Sequence, residues 1–436
     1  MGEVQLIAIF LFVLFLMLGT GVWVGLALLG VAFVGMEMFT SRPVGDTMIT
    51  TIWSASSSWT LTALPLFIWM GEILYRTRLS EDMFRGLSPW LARLPGGLVH
   101  TNIVGCTVFA AVSGSSAATL TTVGKMSIPE LRRREYPENM IIGTLTGAAT
   151  LGLMIPPSLT LIVYGVTINE SISKLFMAGI LPGIILAGMF MGYVAIMSKV
   201  SSKFNPKAEP PMSFSEKVAN SKFLIPVICL ILVVIGSMYT GVATATEAAA
   251  FGVIGSLTLA ASQKSLNWKT FTESLMGATR TSAMIALILA GASFLSLAMG
   301  FTGLPKALAE GIATFELSRF ELLMVLLVFY IIIGCFLDGI SSVVLTMAVV
   351  EPMIRTAGID VIWFGIFIVV VEMAQITPPI GFNLFVMQGM TKHDMGYISK
   401  AAIPMFLIMV LMVFVLIFVP DIATYLPENM RARPGG

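Results

Sequence analysis

The sequence predicts an all-α polytopic membrane protein made of two inverted repeats, each with one re-entrant hairpin and one broken helix. Its 436 residues are 57% hydrophobic and 11% charged, and the mean hydropathy is +0.93. A soluble chain of this length carries roughly a quarter charged residues. Here, apolar runs near the ~20-residue length of a membrane helix recur along the chain. Two of them contain adjacent prolines, Pro156-Pro157 and Pro378-Pro379.

The double prolines predict helix breaks inside apolar surroundings. A proline removes a backbone N–H and its ring clashes with the preceding turn, while the residue before it is pushed out of the helical region. In a bilayer, a break survives only where protein or water satisfies the freed backbone groups. One break in each half of a membrane protein points to a transporter's binding site. We therefore expect broken helices at about 140–165 and 361–389 to form the functional centre.

The first repeat is expected over residues 1–200. It starts with two spans, at about 4–19 and 22–38, and the first lacks the basic n-region of a signal peptide, so it is expected to be retained. The polar, tryptophan-containing stretch 41–60 is typical of an arm lying along the membrane interface. A further span is expected at 62–75.

The next apolar segment, 95–124, is predicted to be a re-entrant hairpin with its tip near 113–116. Arginines precede it, and a lysine and further arginines follow it. The positive-inside rule therefore places both flanks in the cytoplasm. A segment whose two ends lie on one side turns back within the membrane. A single span followed by an unusual loop is the alternative.

A cytoplasmic linker at 201–222, in a region rich in lysine and proline, is expected to join the first repeat to the second, 223–436. The second repeat has the same order of elements. It comprises spans at 223–239 and 246–261, an arm at 262–279, a span at 282–299, a hairpin at about 321–350, the second broken helix and a last span at 402–419.

The two halves align at a constant offset. The same number of positions separates Pro156 from Pro378 and Gly30 from Gly252. Glu351 and Asp360, but no basic cluster, follow the second hairpin, so it is expected to open from the periplasm, opposite to the first. This orientation makes the repeats inverted and places both chain ends outside.

Several other classes of function are disfavoured by the sequence. The three cysteines lie in separate apolar runs and the two histidines are isolated, so neither disulfides nor a metal cluster is expected. No organic cofactor is expected, and no basic cluster with interleaved aromatics suggests nucleic acid. A membrane enzyme would need a nucleophile elbow, a zinc-binding His-Glu-x-x-His or a phosphate-binding loop, and none is present.

The hairpin tips and breaks together predict two cation sites. A broken helix ends in unpaired carbonyls that attract a cation, and hydroxyl oxygens at a hairpin tip suit a hard ion such as Na⁺. The two sets contain both side-chain and backbone oxygens. Site 1 comprises Ser113, Ser116, Gly152, Ile155 and Pro157, and site 2 comprises Gly334, Asp338, Gly339, Met373, Ile376 and Pro378.

An organic anion is expected between the two cation sites. Ser115, Ser158, Thr160 and Asn383 would contact it, together with the N–H end of a broken helix. Small hydroxylated residues at buried turns also serve packing or backbone bonding alone, and that alternative stays open for each serine.

Acidic residues within the apolar runs receive separate interpretations. An acidic residue inside a membrane hairpin, such as Asp338, marks an ion path by default. Glu247 and Glu372 are either ligands or groups that fix helix packing by hydrogen bonds.

The motifs resemble those of the large membrane subunit of tripartite ATP-independent periplasmic (TRAP) transporters. The resemblance extends over essentially the whole chain. It is carried by Phe109-Ala-Ala-Val-Ser-Gly-Ser-Ser-Ala-Ala-Thr119, Gly152-Leu-Met-Ile-Pro-Pro-Ser158, Thr244-Ala-Thr-Glu-Ala-Ala-Ala250, Leu337-Asp-Gly-Ile-Ser-Ser342 and Ile376-Thr-Pro-Pro-Ile-Gly-Phe-Asn383.

The resemblance implies a secondary transporter of the bacterial inner membrane, driven by a Na⁺ gradient, with the elevator-type fold of the ion transporter superfamily. It implies two protein partners, a soluble periplasmic substrate-binding protein and a small four-helix membrane subunit that is separate from this chain, besides the surrounding lipid. Substrates of the family are organic acids. Some members look to use an arginine just before the second hairpin, and residues 300–305 contain none. A stand-alone Na⁺- or H⁺-coupled dicarboxylate carrier of the same fold is the alternative.

Overall fold

A computed structural model describes residues 3–200, 212–303, 317–379 and 381–431, and within these ranges the regular structure is entirely helical. Part of the predicted linker, 201–211, and residues 304–305 of the segment before the second hairpin lie outside the described residues. The helices are numbered here in chain order.

The first half contains eleven helices among the described residues. Their bounds are α1 Glu3–Gly19, α2 Val24–Phe39, α3 Val44–Ser56, α4 Ala63–Tyr75, α5 Leu79–Leu91, α6 His100–Ser113, α7 Ser116–Arg133, α8 Glu138–Ala149, α9 Leu151–Met154, α10 Leu159–Thr167 and α11 Ile172–Val200.

The described part of the second half follows a similar order after the short helix α12. Its helices are α12 Phe214–Ser221, α13 Ile225–Tyr239, α14 Ala245–Ser262, α15 Trp268–Thr302, α16 Arg319–Gly334, α17 Gly339–Thr356, α18 Val361–Val371, α19 Phe382–Thr391, α20 Met395–Phe418 and α21 Asp421–Glu428. A 3-10 turn, Glu372–Ile376, continues α18 up to the second double proline.

Two helical hairpins, α6–α7 and α16–α17, turn where the sequence predicts tips. After α6, Gly114 adopts a φ of +63°, a left-handed conformation that glycine reaches without steric cost. Ser115 then caps α7, because its side chain accepts a hydrogen bond from the backbone N–H of Ala118. In the second hairpin Asp338 caps α17 by accepting from the N–H of Ser341. Both turns are therefore specified by local capping chemistry.

Both predicted helix breaks are present. α9 ends at Met154, the next residue Ile155 is extended, and α10 begins only at Leu159. In the second half the 3-10 turn ends at Ile376, the next residue Thr377 is also extended, and α19 begins at Phe382. The segment Glu138–Thr167 has 94% of its apolar window buried within the protein. The first break is thus enclosed by protein, which is the setting that allows non-helical backbone at membrane depth.

The packing contacts between helices of the two halves come in equivalent pairs. In the scaffold, α2 packs against α15 and α14 packs against α4. Around the breaks, α7 packs against α19 and α17 against α10, while α8 packs against α20 and α18 against α11. Each pair becomes the other when the halves are swapped, as expected of two structurally related repeats. The four broken-helix segments and the hairpins are thereby brought to one centre.

One predicted boundary is wrong. The arm expected at 262–279 and the span expected at 282–299 form the single helix α15, Trp268–Thr302. The first half separates its arm from its span at Ser57, and Pro65 follows shortly afterwards. No proline occurs between Trp268 and Thr302, so nothing in that sequence interrupts backbone hydrogen bonding.

Six helical segments of the described ranges are long and apolar enough to cross a bilayer. A seventh is obtained when α12 and α13, which are bent by 54° relative to each other, are counted as one. Shorter apolar helices, α2 and α18 among them, add to this set. The polytopic membrane architecture predicted from composition is consistent with this arrangement.

Candidate functional site

The first hairpin tip is bonded directly to the first break. The backbone N–H of Leu159, just past the double proline, donates to the carbonyl oxygen of Gly114 at 3.2 Å. A Cβ atom at Gly114 would lie 2.5 Å from the carbonyl oxygen of Pro157. Glycine is therefore required at this tip both by its positive φ and by the close approach of the break.

Hydroxyl and carbonyl oxygens of site 1 cluster at this contact. The Oγ of Ser113 lies 2.8 Å from Oγ1 of Thr119, and that hydroxyl donates to the carbonyl oxygen of Ser115 at 2.8 Å. On the break side, a Cβ at Gly152 would lie 2.7 Å from the Ser115 carbonyl oxygen. The predicted residues Ser113 and Gly152 are thus brought together, and Thr119 joins them. The two hydroxyls and the Ser115 carbonyl are three oxygens within one small volume, which suits a hard cation.

Ser116 connects the first tip to the second broken helix. Its Oγ lies 3.1 Å from Oε1 of Gln375 and 3.2 Å from Oδ1 of Asn383. All three residues are buried, with Ser116 only 4% exposed. The two contacts join residues more than 250 positions apart in the chain. The halves therefore meet at polar side chains in the centre of the protein.

Replacing Ser116 by alanine is expected to loosen this central contact. Both amide oxygens would lose a hydroxyl neighbour, and each buried acceptor left unpaired costs about 1–3 kcal/mol. We expect a lower unfolding temperature in detergent and weaker Na⁺ dependence of that temperature. Ser127→Ala is the matched control, because Ser127 is a buried serine of the same helix whose Oγ has no hydrogen-bond partner. An equal effect of the two substitutions would contradict the assigned contact.

The second tip is bonded to the second break in the same way. The backbone N–H of Gly381, past the double proline, donates to the carbonyl oxygen of Cys335 at 3.0 Å. Cys335 Sγ also lies 3.1 Å from Oγ1 of Thr377. A Cβ at Gly334 would lie 2.7 Å from the Cβ of Ala374. The two tip-to-break contacts are therefore equivalent in backbone chemistry, as the repeat predicts.

The side chains of site 2 differ from those of site 1 in carrying charge. Asp338 is half-buried at the tip and its carboxylate accepts from the N–H of Ser341 at 3.4 Å. Gly339 follows it and packs against the carboxylate of Glu372. Ile376 is buried, and Met373 lies in the 3-10 turn that leads to Pro378. The structure thus brings Gly334, Asp338 and Gly339 of the predicted site 2 together at one tip, which packs against the 3-10 turn that contains Met373 and Ile376.

The four predicted anion contacts are not equivalent. Ser158 is fully buried, and its hydroxyl is engaged within its own break, donating to the Leu153 carbonyl oxygen and accepting from the N–H of Leu161. Ser115 is the cap of α7. Thr160 is buried on α10. Asn383 is buried beside Ser116, and its Nδ2 has no hydrogen-bond partner among the described residues. Asn383 therefore offers a buried N–H donor to a ligand.

Glu247 has a structural role in α14. Its carboxylate accepts from the backbone N–H of Thr244 at 2.8 Å and from the Thr244 hydroxyl at 2.9 Å, which forms a capping box. The alternative that Glu247 serves helix structure therefore explains its presence in an apolar run.

Sequence reasoning missed three polar residues of this centre. Thr119, Gln375 and Ser342 all contact predicted site residues or their neighbours. A signal was present for Gln375, because it is an uncharged polar residue within an apolar run three positions before the double proline. The hydroxyls of Thr119 and Ser342 resemble many others on membrane helices, and only the fold distinguishes them.

A family model described as "Tripartite ATP-independent periplasmic transporter, DctM component" matches residues 11–422. Among similar curated proteins is the isethionate TRAP transporter permease protein DctMQ of Oleidesulfovibrio alaskensis, 30% identical over 95% of this chain, and the chain spans 65% of that protein's length. The C4-dicarboxylate TRAP transporter large permease protein DctM of Rhodobacter capsulatus is 30% identical over 88% of this chain and 90% of its own.

The 2,3-diketo-L-gulonate TRAP transporter large permease protein YiaN of Escherichia coli is 28% identical over 89% of this chain and 90% of its own. Among solved structures, the YdaH transporter of Alcanivorax borkumensis, described as having an unusual topology, superposes with a TM-score of 0.67. The match covers 93% of this chain and 97% of that one. At 11% identity this likeness concerns the fold alone, and it agrees with the predicted polytopic helical fold.

Proposed function

The chain belongs to the DctM component family of tripartite ATP-independent periplasmic transporters, and on that premise we propose that it is the large permease subunit of a Na⁺-coupled importer of an organic anion. The family predicted from the motifs is thereby confirmed, and the chain is a component of a transporter rather than an enzyme. The finer features proposed here are the coupling ion, the delivery of substrate, the partners and the movement.

The observation that carries the proposal is the meeting of both tips and both breaks at one buried polar centre. Leu159 and Gly381 each donate a backbone N–H to the hairpin tip of their own half. Ser116 then joins the two halves through Gln375 and Asn383. Broken helices facing each other at the centre of a repeat protein are the usual construction of a transporter's binding site.

Na⁺ is proposed as the coupling ion because the centre offers oxygen ligands. Site 1 presents the hydroxyls of Ser113 and Thr119 beside the Ser115 carbonyl. Site 2 presents the carboxylate of Asp338 beside the second break. Hydroxyl, carbonyl and carboxylate oxygens suit hard cations. We propose more than one Na⁺ per transported anion, since each half contributes a site.

An organic carboxylate or sulfonate is proposed as the substrate, held between the two cation sites. Asn383 Nδ2 is a buried donor without a partner, and it lies between the first tip and the second break. Bound cations on either side would favour an anion electrostatically. The named relatives carry C4-dicarboxylates, isethionate or diketogulonate, which are all organic acids.

The proposed movement is an elevator displacement of the hairpins and broken helices against the scaffold helices α2, α4, α14 and α15. Scaffold and hairpin touch closely at Gly71, where a Cβ would lie 3.1 Å from the Val112 carbonyl oxygen. Lys125 of α7 donates to the Tyr75 hydroxyl at 2.7 Å at the end of α4. A small residue and a single exposed hydrogen bond form a contact that breaks at little cost.

The proposed partners are a small four-helix membrane subunit and a soluble periplasmic substrate-binding protein, and the proposed location is the bacterial inner membrane. Substrate choice is then set first by the binding protein. A thermal-shift screen of that protein against organic acids is expected to identify the anion.

Reconstitution into proteoliposomes tests the proposal. With the small subunit in the membrane, an inward Na⁺ gradient and the liganded binding protein outside, we expect uptake of the labelled anion. Omitting either the gradient or the binding protein should abolish it. Uptake of free anion without the binding protein would instead support a stand-alone carrier, and uptake driven by a pH gradient alone would replace Na⁺ by H⁺.

A further inference from the structure

Glu372 is a buried acidic side chain whose two carboxylate oxygens have unequal surroundings. The residue is 3% exposed at the start of the 3-10 turn before the second break. Ser342 Oγ donates to Oε1 at 3.3 Å, whereas Oε2 is buried and has no hydrogen-bond partner among the described residues. A buried carboxylate oxygen without a partner is unfavourable. The direction in which Oε2 points therefore indicates where a bound partner would lie.

Oε2 points at the tip of the second hairpin. A Cβ atom on Gly339 would clash with it, so glycine at this position is what lets the carboxylate approach. Gly339 is the first residue of α17 and Asp338 is its cap. Because Asp338 directly precedes Gly339, its carboxylate lies at the same tip that the Glu372 carboxylate faces. Two acidic groups thus meet at one tip in largely apolar surroundings.

Neither acid has a cationic partner in the part of the chain that the structure describes. Among the described residues, no lysine, arginine or histidine forms an ion pair with Asp338 or Glu372. Adjacent like charges in a poorly solvated site destabilise each other. A cation bound between them removes both the repulsion and the unpaired oxygen.

We propose that Glu372 is a ligand of the cation at the second site, with Oε2 and the Asp338 carboxylate as its charged oxygens and Ser342 holding Oε1 in place. This inference rests on the proposed Na⁺ coupling and extends site 2 beyond the backbone oxygens and Asp338. Site 1 offers only hydroxyl and carbonyl oxygens. Site 2 therefore binds the cation more tightly and is expected to fill first.

Glu372→Gln tests the role directly, because it keeps the shape of the side chain and removes its charge. The unfolding temperature of the purified full chain is followed while NaCl replaces choline chloride at constant ionic strength. Loss of a cation contact is expected to raise the Na⁺ midpoint by about 10- to 100-fold. Glu247→Gln is the matched control, since Glu247 forms a capping box in α14 that glutamine can also form; it should leave the Na⁺ midpoint unchanged and change the unfolding temperature little.

A Glu372→Gln protein that unfolds at a lower temperature with a wild-type Na⁺ midpoint would overturn the proposal, because the carboxylate would then act only in packing. If this variant does not fold, Ser342→Ala decides the question, since it removes the hydroxyl that orients Oε1. Its Na⁺ midpoint is expected to rise by up to about 10-fold, and an unchanged midpoint would also overturn the proposal. Failure of Na⁺ coupling itself is separate, since the wild-type protein would then show no Na⁺ response.

Discussion

Asp338→Asn is expected to abolish Na⁺-dependent uptake in proteoliposomes while leaving the protein folded. Asparagine is as good a helix cap as aspartate, so the bond from the Ser341 N–H that begins α17 is retained. What is lost is a charge facing the cation. Loss of this charged group is expected to weaken Na⁺ binding by about 10- to 100-fold. Initial rates of uptake against Na⁺ concentration measure this loss.

Asp360→Asn is the matched control for this prediction. Asp360 caps α18 by accepting from the N–H of Trp363 at 2.7 Å, so the same substitution is made at another helix cap away from the tips. It should leave Na⁺-dependent uptake close to wild type. Normal uptake by the Asp338→Asn protein, with an unaltered Na⁺ dependence, would remove Asp338 from the cation site.

Gly114→Ala is expected to disable the first site through geometry rather than charge. A left-handed backbone costs a non-glycine residue about 1–2 kcal/mol. The added Cβ would also lie 2.5 Å from the Pro157 carbonyl oxygen. Relief requires the tip and break to separate by close to 1 Å, and a displacement of that size can reduce activity about 100-fold. Uptake rate and unfolding temperature together report the effect.

Gly21→Ala separates backbone strain from the contact. Gly21 also has a positive φ, +82°, but a Cβ there would meet nothing within 4 Å. Its substitution should carry a similar free-energy cost for the left-handed backbone, and so lower the unfolding temperature. The Na⁺ midpoint should be unchanged. A Gly114→Ala protein that behaves like Gly21→Ala would mean that the approach of Pro157 to the tip is not needed for cation binding.

The positions of the tips and breaks could be predicted because local chemistry specifies them. Pro156-Pro157 and Pro378-Pro379 cannot continue a helix in any tertiary setting. Gly114 and Asp338 end or begin helices through their own backbone freedom or capping oxygens. The constant offset between the halves then indicated which elements correspond.

Side-chain partners across the centre could not be predicted in this way. Ser116 contacts Gln375 and Asn383 because α7 packs against α19, and no local pattern encodes which hydroxyl of Ser113–Ser116 faces the other repeat. The role of Glu372 was ambiguous for the same reason. In the sequence, an acidic residue that fixes helix packing by hydrogen bonds looks the same as one that binds an ion. Glu247 proved to be the capping-box partner of Thr244 at the start of α14.

The arm and span of the second half show a different limit. Polar residues between Ser262 and Thr279 suggested a separate interfacial element, yet α15 runs unbroken through most of them. Composition reports which environment a segment prefers, whereas helix continuity depends on residues that interrupt backbone bonding. Without a proline, the polar stretch simply extends the helix beyond the apolar region.

Equilibrium binding of ²²Na⁺ to the purified protein tests the central claim most directly, because it counts ions without requiring transport. The wild-type protein is expected to bind more than one Na⁺ per chain. Asp338→Asn should lose the tighter class of site while the weaker class at the first tip remains, and Asp360→Asn should lose neither. A wild-type protein that binds no Na⁺, or an Asp338→Asn protein that binds as wild type does, would contradict the assignment of cations to the tips and breaks.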